Sequence, residues 1–478
     1  MAGSRREADL EAQNAELRAE NTLLHEQVAA LTAEVEELKR RLGQNSRNSS
    51  KPPSSAPPMS RQERRKLARE RAKESLRKAG GQPGHEGKHR QMAPPGQVDE
   101  TFEHLPERCS GCGHGFGGEE QRVGEPVIHQ KWELPPIRPL IFEHRLARLR
   151  CSGCGKPTLA GLPAGVSGSA FGPKLEAHIA TLAGVFRLSR RQVARVVREV
   201  FGIEISVGAV DAAIMRMSAA LADPWAALAE AVREAAVVHA DETGWRLAGA
   251  QQWLWLAASA LAACYRIDPS RSQVAAKELL GEDFGGIVVT DRYAAYHFLD
   301  VLQQQLCLAH VIRQLVELSE REGATGRRGA ELVEAARGAI GVHRRYLEEG
   351  HDRAWLRTEL EPLRSRIRAL LEQGARGHNR RERSLCGTLL EEYEALWTFC
   401  EVPGVEPTNN VAERALRPAV IMRKTQLHTV SEQGNRWIER ILSVNETCRL
   451  QGRAVLDYLV EAADAAHRGV TAPSLVPP

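Results

Sequence analysis

The chain has 478 residues, a formal net charge of +4 and 42% hydrophobic residues. That length favours several domains over one, and the apolar content is ample for buried cores. No stretch approaches the roughly 20 apolar residues of a membrane span, and the N-terminus lacks the apolar block of a secretory signal, so neither membrane insertion nor export is expected.

Residues 1–43 form the first expected element. Leu10, Leu17, Leu24, Leu31 and Leu38 recur every seven residues, and Asn14, Asn21, Val28, Val35 and Leu42 fill the alternate seam. Leucine at d with Val and Asn at a favours a parallel two-stranded coiled coil, and Glu34 and Lys39 can pair across chains. A homodimer or higher assembly through this zipper follows. The helix is expected to end at Gly43, before Pro52, Pro53, Pro57 and Pro58.

Residues 44–100 read as a flexible basic linker. From Gln44 to Arg90, thirteen Lys and Arg stand against four Glu. Such a segment beside near-neutral domains suits a polyanion, most often nucleic acid, or else a solvated linker. Arg64, Arg65 and Lys66 are the candidate contacts.

Residues 101–158 hold the pentapeptide CSGCG twice, at Cys109–Gly113 and Cys151–Gly155. Paired C-x-x-C knuckles are a strong zinc signal, with Gly after the second Cys permitting the tight turn. Cys109, Cys112, Cys151 and Cys154 would close a tetrahedral sphere, so this Zn2+ is structural. The intervening segment alternates like two strands around a Pro-rich turn, the layout of a zinc ribbon. The other five cysteines (Cys264, Cys307, Cys386, Cys400, Cys448) show no disulfide rhythm, which suits a reducing cytosol.

Residues 159–222 turn helical. Pro173 suits a first helical turn, Ser189 with Gln192 makes a capping box, and Ser206 can cap a third helix through Met217. Three short helices carrying Arg187, Arg190, Arg191, Arg195 and Arg198 resemble a helix-turn-helix unit, with Arg190, Arg191 and Arg195 as DNA-binding candidates.

Residues 223–312 change character. A short apolar run is expected to form a strand ending in Asp241. QQWLWLAAS and LAACYRI read as two more strands, Gln273–Leu280 as a helix, and GGIVVTD as a strand ending in Asp291. A further helical stretch should lead to QQQL, a short strand running into a helix. This order is that of a ribonuclease-H-like α/β core, whose first and fourth strands are neighbours, so Asp241 and Asp291 would meet. Glu242 would point the other way and be secondary. Residues 313–400 read as a helical insertion. In residues 401–478 a final helix begins near Asn409, is bent or ended by Pro418, and sets Asn410, Glu413 and Arg417 on one face. Glu413 is the third acid that phosphoryl transfer by two metals requires.

Several of these stretches together resemble the insertion sequence 66 transposase family, over essentially the whole chain. LGQNSRNSSKPPSS and GGQPGHEGKHR resemble its N-terminal signatures and the CSGCG pair its zinc-binding module. HADETGW, DRYAAY, CLAH and NNVAERALRP resemble its catalytic blocks. The resemblance implies a DDE-type transposase whose catalytic triad is Asp241, Asp291 and Glu413, holding two Mg2+ ions, with Mn2+ as a substitute. Cys307 and His310 match a supportive C-x-x-H feature, and Asn410 and Arg417 are further supportive candidates. Double-stranded DNA, as element ends and target, and accessory proteins of the same element are the implied partners, in the bacterial cytoplasm at the nucleoid. One departure is Arg292, where the family usually has Gly; it is expected to contact DNA phosphate or partly neutralise the site. The alternatives are a catalytically inactive zinc-and-zipper DNA-binding regulator and a structure-selective nuclease.

Overall fold

The computed structural model describes residues 90–119, 121–426 and 429–476, together with Asn21, Thr22, Leu24, His25, Gln27, Val28 and Leu31. Those seven are helical and exposed. The remaining heptad positions, and Arg64, Arg65 and Lys66, lie outside the described residues. Two compact units divide the chain: Pro57–Arg138, and Met1–Ala56 with Pro139–Pro478. Among the described residues, no helix is long and apolar enough to cross a membrane.

In the first unit the chain is held by side-chain clasps more than by regular structure. Gln130 bonds Ala93 in both directions, at 2.8 and 2.9 Å, and Arg90 stacks on Trp132. Of the two ribbon strands expected between the knuckles, only a short one just before the second knuckle forms: among the described residues, no strand lies between 116 and 147. Pro135, Pro136 and Pro139 lack ladder donors. The apolar side chains of this run, Val127 and Ile141 among them, are exposed. A single antiparallel bridge, Arg108 with Gly115, spans the first knuckle; in the second unit, β1 (Arg148–Arg150) and β2 (Pro157–Leu159) flank the second knuckle as an antiparallel pair.

In the second unit, α1 (Pro173–Ala180) starts on a proline and runs into a π-helical turn, Thr181–Val185. The turn packs so tightly on Trp437 and Ile441 that only Gly fits at position 184. The Ser189–Gln192 capping box opens α2 (Arg190–Phe201) and left-handed Gly202 closes it. Ser206 caps α3 (Val207–Ala220), and α4 (Ala222–Arg233) leads into the sheet.

The sheet has five strands in the order β5–β4–β3–β6–β7. They are β3 (Val237–Leu247), β4 (Ala250–Ala258), β5 (Ala263–Asp268), β6 (Ile287–Thr290) and β7 (Gln304–Leu306). β3, β4 and β5 pair antiparallel; β6 and β7 join β3 in parallel. The strand carrying Asp241 does not end there. It continues to Leu247 because residues 239–247 pair with β4 far beyond the short parallel register with β6. α5 (Gln273–Leu280) matches the expected helix. Between Asp291 and β7 the expected helix is replaced by two single 3-10 turns, Ala294–Tyr296 and Val301–Gln303. Tyr296 there is fully buried, so the stretch serves as core plug rather than as a helical layer.

Edge strand β5 is covered in an unusual way. The N–H groups of Ala263, Tyr265 and Ile267 donate to Thr447 Oγ1 (3.0 Å), Ser443 Oγ (2.9 Å) and Glu439 Oε1 (2.7 Å). All three acceptors are on one face of a later helix, so the sheet edge is closed to pairing with another chain.

After β7 come α6 (Leu308–Ser319), α7 (Gly323–Glu349), α8 (Arg353–Ala375) and α9 (Arg380–Glu391), then α10 (Asn410–Gln426), α11 (Glu432–Leu450) and α12 (Val455–Arg468). α11 is the helix that closes β5. Pro418 does not end α10, which runs eight residues past it. One apolar core joins α1–α4, most of the sheet, α5 and α10–α12; a second joins β6 and β7 to α6–α9. The two cores meet along β6, where the acids stand.

Candidate active site

Parallel pairing of β3 with β6 ends at His239 opposite Val289. Asp241 and Asp291 each stand two residues beyond that pair, so the period-two alternation of strands puts both on one face of adjacent chains. Asp241 accepts the Glu242 N–H (2.8 Å) and Asp291 the Tyr293 N–H (2.9 Å). Burial holds the Asp241 carboxyl well above the usual aspartate range, and the charges of Asp291, Glu242 and Glu413 push it further up. All three acids of the sequence reading therefore share one electrostatic field.

Glu413 enters from the first turn of α10. Its Oε1 is buried and accepts no hydrogen bond; the basic side chains beside it are Arg313 at 3.6 Å and His310, with Nε2 at 3.8 Å. Arg313 also donates to His310 Nε2 at 3.1 Å, which leaves the proton on Nδ1, itself buried without a partner. Burial keeps His310 below the usual imidazole range, against the pull of Asp291 and Glu413.

The start of α10 is pinned by Asn409, which is fully buried. Its Nδ2 donates to Ala240 O (2.7 Å), its Oδ1 faces His239 Nδ1 (3.1 Å), and its N–H donates to Cys307 Sγ (3.1 Å). Asn410 and Arg417, the supportive candidates of the sequence reading, are exposed. The neighbouring asparagine was missed, although Asn is a preferred residue immediately before a helix.

Glu242 projects from the opposite face of β3, as expected of a strand, yet is far from idle. Arg271 binds it through Nε (2.9 Å) and a terminal nitrogen (2.5 Å), and Tyr296 donates to it at 3.3 Å. Arg271 is sandwiched by Trp253 and Tyr293. Burial, aided by Asp291, pushes the Glu242 carboxyl up to about 7.

Arg292 is engaged by side chains outside the acid cluster. Its guanidinium is taken up by Glu392 at the end of α9 (2.8 Å) and Gln314 on α6 (2.7 Å). Its backbone is left-handed, with φ of 74°. That is the conformation Gly adopts freely, and a side chain there costs roughly 1–2 kcal/mol.

The two CSGCG knuckles are built alike. In each, the Gly N–H returns to the first Cys carbonyl at 2.9 Å, and Gly113 and Gly155 have φ of 76° and 72°. Backbone N–H groups of Cys112 and Gly111 lower the Cys109 thiol, and those of Cys154 and Gly153 lower Cys151. Both loops thus favour the thiolate that a metal takes.

Among the described residues, no group of three or more His, Cys, Asp or Glu side chains stands close enough to hold a metal ion. The donor chemistry nevertheless suits divalent cations. Asp241, Asp291 and Glu413 offer only oxygen, one atom of it orphaned, in a field of excess negative charge. The knuckles offer sulfur, which suits zinc.

A model of the IS66 transposase family matches residues 168–436, more than half of the chain. The chain belongs to that family. The zinc-finger binding domain of transposase IS66 matches residues 106–155, covering both knuckles, and a family of unknown function (DUF6444) matches residues 2–91. An uncharacterised protein, y4qI, of Sinorhizobium fredii is 27% identical over 264 residues, 48% of this chain and 48% of that protein. The chain thus spans about half the length of the curated relative it matches.

The IS66 match spans the helices α1–α3, the sheet, the second core, part of the first and Glu413. On α2, Val193 and Val197 face the core while Arg190, Arg191 and Arg195 are exposed; Arg190 pairs with Asp211 and Arg195 with Glu199.

Proposed function

We propose that this IS66-family protein is a DNA transposase that binds the inverted repeats of an insertion sequence, cleaves the ends and joins them to target DNA. The observation that supports the reading is that Asp241 and Asp291 stand two residues past the same β3–β6 pair, with the Asp241 carboxyl held up by burial first and by the charges of Asp291, Glu242 and Glu413 after it. Mutual repulsion of this kind suits a place where a cation is held. The strand order, with its acids at the β3–β6 junction and on a late helix, supports a ribonuclease-H-like core.

Asp241, Asp291 and Glu413 would hold two Mg2+ ions, which when bound supply Lewis-acid stabilisation to the attacking and leaving oxygens of an in-line displacement. The chain's own residues supply the rest. Arg313, through an ion-pair contact, and His310 stand beside Glu413 Oε1 without hydrogen-bonding it, which leaves that oxygen able to take a cation. Arg271 keeps Glu242 turned away from the site, so the reacting phosphate meets three acids and not four. Cys109, Cys112, Cys151 and Cys154 would bind one structural Zn2+. Exposed Arg190, Arg191 and Arg195, with Arg64, Arg65 and Lys66 of the basic linker, would neutralise DNA phosphates, and the heptads of residues 1–43 would join two chains.

Replacing Asp241, Asp291 or Glu413 by the matching amide should abolish cleavage and joining of a terminal-repeat duplex, while binding of that duplex persists. The losses should not add, because one missing ligand already disables the site. A fully active Asp291→Asn protein would refute the assignment. Cleavage without joining would favour the structure-selective nuclease, and end binding with neither activity in the parent protein would favour the regulator.

A further inference from the structure

Three hydrogen bonds around residues 307 and 409 reach the backbone beside each acid. Asn409 Nδ2 donates to the carbonyl of Ala240, immediately before Asp241, at 2.7 Å. Asn409 N–H donates to Cys307 Sγ at 3.1 Å, and Cys307 N–H donates to the carbonyl of Thr290, immediately before Asp291, at 2.8 Å. Asn409 O accepts the N–H of Glu413 itself at 3.1 Å. The three acids come from segments about 50 and 120 residues apart in the chain, and every one is a single residue or a single bond from this junction.

We infer that Asn409 and Cys307 are positioning residues that set the mutual spacing of Asp241, Asp291 and Glu413. The chemistry at each position suits the role. Asn409 is the one residue that must donate and accept at once: its amide gives to Ala240 O while its oxygen faces His239 Nδ1. With Nδ2 committed to Ala240 O, the Asn409 oxygen is the acceptor facing His239 Nδ1 at 3.1 Å, so that ring nitrogen carries the proton toward Asn409. Cys307 is fully buried and burial pushes its thiol up, so it remains a neutral acceptor and adds no charge to the site. Neither group can reach a substrate. Both act through the acids. The inference rests on the reading of the acids as a divalent-cation site, and metal binding separates the two.

The experiment is Mn2+ titration of zinc-loaded full-length protein, followed by electron paramagnetic resonance, in parallel with thermal melting. Asp241→Asn should remove the high-affinity Mn2+ signal. Asn409→Ala and Cys307→Ala should weaken Mn2+ binding by about 10- to 100-fold, the usual cost of losing groups that orient metal ligands. Cys307→Ser retains an acceptor and should recover most of the affinity lost in Cys307→Ala. It also serves as the decisive variant where Asn409→Ala fails to fold. If wild type and Asp241→Asn bind Mn2+ alike, the cation-site reading falls. If those two differ but both alanine variants match wild type, or melt earlier with an unmoved Mn2+ midpoint, the acids keep their role and the positioning inference is overturned. Equal weakening in Cys307→Ser and Cys307→Ala would remove Cys307 from it.

Discussion

Asp241 carries a cost that its neighbours impose. Its carboxyl is raised by burial first and by Asp291, Glu242 and Glu413 after that. A raised acid binds its proton more tightly folded than unfolded. Its stabilising contribution is therefore complete below the ordinary aspartate value of 3.8 and is lost as pH climbs through the raised one. An amide at this position has nothing to lose. In the absence of divalent cations, Asp241→Asn should melt above wild type, by more at pH 8 than at pH 5, with each kcal/mol worth about 2–4 °C. Added Mg2+ should narrow the pH 8 gap by stabilising only the wild type. A gap that ignores pH would mean that Asp241 is ionised without penalty. Arg292 shows strain handled differently: a left-handed backbone that Gly would occupy freely is retained because the guanidinium bonds Glu392 and Gln314. The identity of the residue was plain in the sequence. Its destination was not, because Glu392 lies 100 residues away.

Elements whose determinants are local could be read from the chain; those completed by distant partners could not. The Ser189–Gln192 box and the Ser206 cap need only three or four residues, and both helices begin where those residues put them. Asp241 and Asp291 were legible because each follows a short apolar run, but the true length of β3 depends on its register with β4. The closing of β5 was hidden altogether. Glu439, Ser443 and Thr447 recur every four residues along α11, an unremarked polar stripe until the sheet edge 172 to 184 residues upstream is laid against it. Each bond satisfies a buried backbone N–H, so its loss should cost more than an ordinary surface contact. Ser443→Ala should destabilise the protein by about 1–3 kcal/mol, and Thr447→Val, which keeps the shape, by a comparable amount. Thermal melting measures the cost, and hydrogen exchange at the Tyr265 amide locates it. A Ser443→Ala protein that melts like wild type, with Tyr265 still protected, would show that the helix merely lies near the strand.

At the scale of the whole molecule, the residues proposed for the two metals lie in separate parts of the fold. Both apolar cores are built from residues at or beyond Ala177, and no cysteine of the CSGCG pair belongs to either. Cys112, Cys151 and Cys154 are exposed, and Cys109 nearly so. Each knuckle already closes on its own backbone bonds, so zinc would link preformed loops instead of nucleating the catalytic fold. Purified protein should contain about one zinc per chain. Cys151→Ser, or a chelator, should remove it and weaken binding to a terminal-repeat duplex. The main melting transition, which reports the two cores, should stay within about 2 °C, the shift expected of a change outside the core. The apolar side chains scattered between Val123 and Phe142, exposed in the described structure, supply the opposing expectation. Were those side chains folded into the cores when zinc is bound, chelation would lower the main transition steeply and expose apolar surface to a hydrophobic dye. An unchanged transition together with lost zinc and weakened DNA binding would place the metal in recognition and the acids in chemistry, each on its own part of the chain.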